Sequence, residues 1–198
     1  MARARRQEDW GRDLSGARPV ETFVADELRR DPSLHDVDDR TASFVDLDFS
    51  FRYRGMPVTL DVKEKRQRYS KGVQQLWPGL REPDLFIVDE TVYRRVVWQG
   101  GGGYLLIHDV PGARWLVLGP WELTLGHRVR YGRWGDRGGA RFLKGKLLVD
   151  LSSAPQRAAG FSTDLVKRAI EGARAWRDRV QPYPVPGAGL PEVGRSGG

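Results

Sequence analysis

The sequence predicts one α/β domain, an α+β mixed sheet flanked by helices, and three observations carry that expectation. FVDLDFSFRYR (44–54) and PVTLDVKEK (57–65) alternate apolar and polar residues with the period of two that a strand with one buried face requires. Segments near both ends of the chain instead repeat apolar residues at helical spacing. The 198 residues are 39% hydrophobic and 30% charged and include no cysteine, a composition that fills one core without disulfides or thiolate metal sites. No run approaches the roughly 18–20 apolar residues of a membrane helix, and the basic N-terminus leads into Gln-Glu-Asp-Trp instead of an apolar stretch. A soluble, cytoplasmic protein with no membrane partner is expected.

In chain order, residues 1–18 read as a basic flexible tail, residues 19–180 as a single domain, and 181–198, with four prolines and five glycines, as a second flexible tail. Pro19 opens a first helix whose stripe is Val20, Phe23, Val24 and Leu28, ended at Asp31-Pro32. The two alternating stretches follow as an antiparallel hairpin, turned at Gly55-Met56-Pro57. A short helix around Lys71 to Trp77, an apolar strand at 84–89 and a helical turn TVYRRVV come next. Gly100 to Gly103 breaks the chain before two strands, YLLIHD and RWLVLG, joined by Pro111-Gly112. Pro120-Trp121-Glu122 is read as a packed turn, and RFLKGKLLVDL (141–151) as a further strand. The last helix is capped by Ser162 or Thr163, carries Asp164 near its positive end, and aligns Leu165, Val166, Ala169, Ile170, Ala173, Trp176 and Val180.

The charge is distinctive. Lys+Arg 33 against Asp+Glu 26 gives +7, and 27 of the cations are arginine, whose planar fork suits phosphate but whose abundance also follows from codon composition. Position is more telling. Arg52, Arg54, Lys63, Lys65, Arg66, Arg68 and Lys71 form one run, against Asp61 and Glu64 alone. Arg128, Arg130, Arg133, Arg137, Arg141, Lys144 and Lys146 form a second, broken by Asp136 and interleaved with Tyr131 and Trp134. Phosphate tracking with aromatic stacking is the binding reading of both runs.

The hairpin's polar face concentrates carboxylates and an amine. Asp48 or Asp46 on the first arm can lie beside Asp61 on the second, and Lys63 shares Asp61's face. Converging carboxylates repel, a hard divalent cation relieves that repulsion, and Mg2+ favours one or two carboxylates completed by water and phosphate. A lysine beside the metal can orient or deprotonate water, or offset developing charge. Phosphodiester hydrolysis uses all three groups. The rival reading is a solvated cross-strand charge pattern of Asp61 and Lys63 with Asp46, Asp48 and Arg52.

Over residues 19 to 90 the chain resembles the PD-(D/E)xK nuclease superfamily. The matching residues are Asp61-Val62-Lys63 preceded by Val58 and Leu60, the acid thirteen residues earlier at Asp48, and Glu21 with Leu28 seven residues on. A basic polar run and a helix carrying Gln74 and Gln75 follow the hairpin. The resemblance implies a restriction-endonuclease-like αβββαβ core, here with a C-terminal strand and helix extension. It also implies a nuclease dependent on Mg2+ or Mn2+, acting on DNA in defence, restriction or repair, as a homodimer or with a partner protein. Asp48 (or Asp46) and Asp61 would hold the metal with the Val62 carbonyl, Lys63 would position water, and Glu21 would assist through a water or second ion. Arg52, Lys65, Arg66, Arg68, Lys71, Gln74, Arg128, Arg130 and Arg133 are the expected nucleic-acid contacts. The alternatives are a non-catalytic nucleic-acid-binding protein that keeps the fold, and a scaffold subunit of a defence or repair assembly. His35, His108 and His127 lack zinc spacing, Gly100 to Gly103 lacks the GK[ST] of a phosphate loop, and no GxSxG elbow is present.

Overall fold

The computed structural model describes residues 7–43, 46–99, 102–137 and 140–179, with side chains placed for all of these except 7–18, 133–137 and 140–144. The tail at 181–198 and Val180 lie outside the described residues. Helix α1 (Gln7–Arg30) begins twelve residues earlier than Pro19, which falls inside it. The expected N-terminal tail is thus corrected from Gln7 onward: its charged composition offers no apolar stripe to read, and a helix can carry one proline at the loss of one backbone hydrogen bond. Val24, Ala25 and Leu28 are buried, whereas Phe23 is 45% exposed and meets Trp115 and Phe161 at the edge of the stripe.

β1 (Leu34–Asp39) pairs antiparallel with β2 (Phe49–Tyr53), which forms a hairpin with β3 (Met56–Lys65). The turn is Arg54-Gly55, one residue earlier than the sequence suggested. Both have positive φ (49° and 75°), the geometry of a two-residue hairpin turn compatible with strand twist, so Met56 and Pro57 already belong to β3. α2 (Lys71–Gln74), β4 (Leu85–Asp89) and α3 (Glu90–Trp98) lead to β5 (Gly103–Asp109), which runs parallel to β3. β6 (Arg114–Leu118), α4 (Pro120–Leu125), β7 (Arg128–Arg137), β8 (Ala140–Asp150), β9 (Gln156–Ala158) and α5 (Thr163–Arg179) complete the chain.

Two sheets result: a mixed six-stranded sheet ordered β1-β2-β3-β5-β6-β9, and an antiparallel one ordered β4-β8-β7. The fold is therefore a mixed α/β one, with helices flanking a mixed sheet. Within the larger sheet the order α1-β1-β2-β3-α3-β5 is an αβββαβ arrangement, with β4 diverted into the second sheet. The C-terminal part is larger than the expected strand and helix. Pro120-Trp121-Glu122 starts a helix, and the second basic run starts a strand in which Val129 and Tyr131 alternate with arginines.

One core lies between the large sheet and helices α1 and α5, built from Phe49, Phe51, Tyr53, Val58, Leu60 and Val62 against Val24, Leu28, Leu165 and Ile170. A second lies on the opposite face, where Leu105, Ile107, Leu116 and Leu118 meet Val96 of α3 and Phe86, Leu147 and Val149 of the second sheet. The apolar stripe of α5 ends early, with Trp176 39% exposed. Because both faces of the large sheet are covered, Asp61 and Lys65 of β3 face protein rather than bulk water. No helix of the described residues is long and apolar enough to cross a membrane.

Candidate active site

The hairpin register decides which acids meet. Phe49 pairs with Leu60, so continuing the ladder by one residue puts Asp48 opposite Asp61. Asp48 Oδ2 accepts a hydrogen bond from the Val62 amide at 2.7 Å, which ties it across the end of β2. Asp46 does not join them: it is exposed, and its Oδ2 accepts from the Ser43 hydroxyl at 2.8 Å in a local loop. Of the two first-arm acids, the structure thus brings Asp48 to the site and leaves Asp46 outside it.

Three oxygens surround the Lys63 ammonium. Nζ lies 2.6 Å from Asp61 Oδ2 and 3.6 Å from Asp48 Oδ2, and it donates to the Val62 carbonyl at 3.0 Å. Asp61 is 3% exposed, so burial is the leading cause that pushes its pKa up, to about 6; Lys63 opposes the shift and Asp48 adds to it. Burial works against the Lys63 cation, but Asp61 and Asp48, with Glu21 adding to them, outweigh it and hold its pKa above the ordinary lysine value. Lys63 is therefore an ammonium at neutral pH.

These features bear on whether a cation fits. Among the described residues, Asp61 Oδ2 is the one buried side-chain oxygen or nitrogen with no aligned hydrogen-bond donor, and the Lys63 ammonium lies 2.6 Å from it. The other buried charges are hydrogen-bonded: Asp109 to Arg114 at 2.8 Å, Asp84 to Arg81 at 2.7 Å, and Lys65 to two carbonyls. No group of three or more His, Cys, Asp or Glu side chains is poised for a metal among the described residues. The donor set is instead two carboxylates and a carbonyl already gathered around one positive charge. It suits a hard divalent ion that keeps waters or takes phosphate oxygens.

The site opens on a cleft of about 430 Å³. Val20 and Glu21 of α1, Val62, Lys63 and Glu64 of β3, Arg66, Phe86 to Asp89 of β4 and Lys146 of β8 line it. Glu21, on α1, lines the same cleft as Lys63. Sequence reasoning missed Glu64, Asp89 and Lys146 as lining residues. Lys146 forms an ion pair with Asp89, and Glu64 binds Arg66 (2.5 Å) and His108 Nδ1 (3.2 Å), whose ring stacks on Trp115. Asp89 and Lys146 come from the second sheet, and no local pattern could have signalled their approach.

The expected nucleic-acid contacts divide. Arg66 lines the cleft, and Arg68 and Lys71 are exposed beyond it, with Gln74 half-buried on α2. Lys65 is corrected: it is 2% exposed, donates to the Glu82 and Pro83 carbonyls at 3.0 and 3.1 Å, and lies over the Tyr69 ring. It clamps the segment entering β4 and cannot reach a phosphate. Arg52 is paired with Asp36 near the hairpin turn, about 13 Å along the strand from Asp48 at the usual rise per residue. Arg128 donates to the Thr124 carbonyl at 2.9 Å over the Tyr93 ring, closing the end of α4, and Arg130 binds Glu90 of α3 at 2.8 Å. Both are committed to the helix side of the second sheet. The side chain of Arg133 lies outside the description.

The chain matches no protein-family model, and no curated protein or solved structure matches it. The functional reading therefore rests on the site's own geometry.

Proposed function

We propose that the chain is a divalent-metal-dependent nuclease of the PD-(D/E)xK type, hydrolysing phosphodiester bonds in DNA. The observation that carries this reading is the convergence of Asp48, Asp61 and the Val62 carbonyl on the Lys63 ammonium at the edge of a cleft. An exposed charge pattern does not account for it, because Asp61 is sealed from water with the Lys63 ammonium as its near cation.

Asp48, Asp61 and the Val62 carbonyl would hold the ion. A bound Mg2+ or Mn2+ would polarise the phosphoryl oxygen and acidify a water to serve as nucleophile. As an ammonium, Lys63 would hold the attacking water by donating to it and offset negative charge on the phosphoryl oxygens, instead of removing a proton. Glu21, which lines the cleft from α1, would assist through a water or a second ion by taking up the proton that the attacking water loses, and solvent would protonate the leaving oxygen. Arg66 and Lys146 line the rim paired with Glu64 and Asp89, and phosphate would compete with those carboxylates for them.

The test is cleavage of supercoiled, linear, branched and single-stranded DNA, and of RNA, in Mg2+ or Mn2+ against EDTA. Asp61→Ala and Lys63→Ala should each lower cleavage at least about 100-fold while leaving DNA binding nearly intact. Activity that survives both substitutions would sink the assignment. Binding without cleavage in either metal would support a non-catalytic nucleic-acid-binding protein.

A further inference from the structure

A second cavity, of about 280 Å³, lies where the starts of β3 and β5 meet α4 and the C-terminal half of α5. Val58 in its wall is five residues from Lys63 along β3, about 16 Å at the usual rise per residue. No described residue lines both this cavity and the cleft.

Most of the wall is apolar. Val58, Pro120 and Ile170 are buried, and Trp121 closes one side, held by its indole N–H on the Ala173 carbonyl at 3.1 Å and by the Trp176 ring 4.3 Å away. Two polar features interrupt it. Inside, Tyr104 is 2% exposed, yet its hydroxyl has no hydrogen-bond partner among the described residues. A buried phenol ordinarily finds one. Tyr53 donates to Glu171 at 2.6 Å, Tyr93 to the Leu123 carbonyl at 2.7 Å, and Tyr69 accepts from the Ile87 amide at 3.1 Å. Glu122, whose charge acts on the Tyr104 phenol, is itself engaged by the Gly119 amide at 2.8 Å. Asp61 Oδ2 is the one fully sealed side-chain oxygen or nitrogen without a partner, so the Tyr104 oxygen is not sealed, and the cavity is the space it opens on. Burial and Glu122 push its pKa up to about 12, which leaves it a donor at neutral pH.

At the mouth, Arg174 and Arg177 stand one turn apart on α5. Both pair with one acid, Asp178, at 3.8 and 3.6 Å, too long for hydrogen bonds, so two guanidinium forks share a single loosely held carboxylate.

We propose that this cavity binds a small aromatic acid, with a ring acceptor for the Tyr104 hydroxyl inside and a carboxylate for Arg174 and Arg177 at the mouth. The volume falls just below the range of drug-sized ligands, which limits the body to one or two fused rings. A flat ring is favoured because Trp121, held from two sides, presents a fixed aromatic wall. The site does not depend on the nuclease reading.

The experiment titrates the full chain at pH 7, with the Trp121 indole N–H signal in 1H–15N NMR reporting on the cavity. Quinoline-6-carboxylate carries both groups, naphthalene-2-carboxylate lacks the ring acceptor, and quinoline-6-carboxamide lacks the charge. Quinoline-6-carboxylate should bind with a Kd of about 1 mM or tighter, the affinity that ordinary ligand efficiency gives about thirteen non-hydrogen atoms. The carboxamide should bind at least about tenfold more weakly. Tyr104→Phe should weaken quinoline-6-carboxylate about fivefold, leave naphthalene-2-carboxylate within about twofold, and leave thermal stability unchanged because it removes no hydrogen bond. Arg174→Ala/Arg177→Ala should weaken both acids at least about tenfold and the carboxamide less than about twofold. Ala173→Phe fills the cavity from α5 and should abolish binding of all three, with thermal melting to verify its fold. The proposal is overturned by any of four results: no movement of the Trp121 signal at about 10 mM quinoline-6-carboxylate, equal affinity for acid and carboxamide, a Tyr104→Phe effect that is absent or the same for both acids, or binding that survives Ala173→Phe in a folded chain.

Discussion

Lys63 and Lys65 lie two residues apart on one face of β3, and replacing each by methionine separates site from fold. Methionine keeps most of the apolar stem, so the perturbation is the loss of the ammonium. At Lys65 that removes hydrogen bonds to the Glu82 and Pro83 carbonyls and an ion-pair contact with Glu82 at 3.5 Å. Carbonyls cannot relieve the loss by protonation, and breaking a buried charge cluster of this kind costs about 3–5 kcal/mol, roughly a 10 °C drop in Tm for a chain of this size. Lys63→Met leaves Asp61 buried without its cation, but Asp61 can respond. Its pKa is already pushed up to about 6, so taking a proton at pH 7 costs about 1.4 kcal/mol. The loss is therefore capped at about 1–2 kcal/mol at pH 7 and shrinks as pH falls below 6. Urea unfolding in EDTA at pH 7 and 5.5, followed by tryptophan fluorescence, reads both numbers. Cleavage at 20 °C should survive Lys65→Met and be lost in Lys63→Met. A Lys65→Met chain that is destabilised by less than about 1 kcal/mol yet no longer cleaves would refute the assignment, because Lys65 would then be serving the substrate.

Asp31 joins the end of α1 to the start of α5, accepting from the Thr163 hydroxyl, Lys167 at 2.8 Å and the Ser33 amide at 2.9 Å. Burial opposes its charge, but these donors prevail and hold its carboxyl well below the usual range. A depressed pKa contributes stability that is present above the unfolded value of about 3.9 and lost as pH falls below it. Asp31→Asn should thus cost about 1–3 kcal/mol at pH 7 and less at pH 3 by urea unfolding; a loss independent of pH would contradict this. Mg2+ at about ten times its Kd should raise stability by about 1.4 kcal/mol in a thermal melt, an increment absent in Asp61→Asn and retained in Asp46→Asn. Equal stabilisation of wild type and Asp61→Asn would remove Asp61 from the ligand set. Gly145→Ala should cost about 1–2 kcal/mol, since the new methyl displaces the Glu90 carboxylate that binds Arg94 and Arg130. Combining it with Glu90→Ala should restore most of the loss, and simple additivity in that double-mutant cycle would argue against the contact.

Periodicity located the hairpin and α5, because each pairs a buried face with a regular repeat, and β5 and β6 showed as short apolar runs because both of their faces are buried. β1 was invisible to it. LHDVDD buries only Leu34 fully, is irregular in register between His35 and Asp38, and holds Asp36 at φ 55°, so an edge strand survives there on backbone pairing with little apolar signal. β7 was hidden differently: glycines and arginines surround the alternation in which Val129 and Tyr131 pack against Leu148 and its neighbours. The choice between Asp46 and Asp48 also needed the structure, since both share a face in the sequence and only the ladder register, with the Val62 amide as anchor, separates them.

The deeper limit concerns which charges the fold buries. Alternation places Asp61, Lys63 and Lys65 on one face of β3, and a solvated face and a buried one give the same sequence pattern. The difference is made by β4 and the Glu82–Asp84 segment before it, with β8 behind, chain that packs against this face only through long-range contacts. Where that cover is complete, Lys65 becomes a clamp between carbonyls. Where it stops, the cleft begins, and Lys63 stands at the boundary with its side chain 34% exposed. Asp61, just inside, has desolvation without a full set of donors, an unfavourable arrangement for stability alone. A divalent cation held as proposed by Asp48, Asp61 and the Val62 carbonyl would supply that carboxylate with the positive charge its surroundings offer only through Lys63.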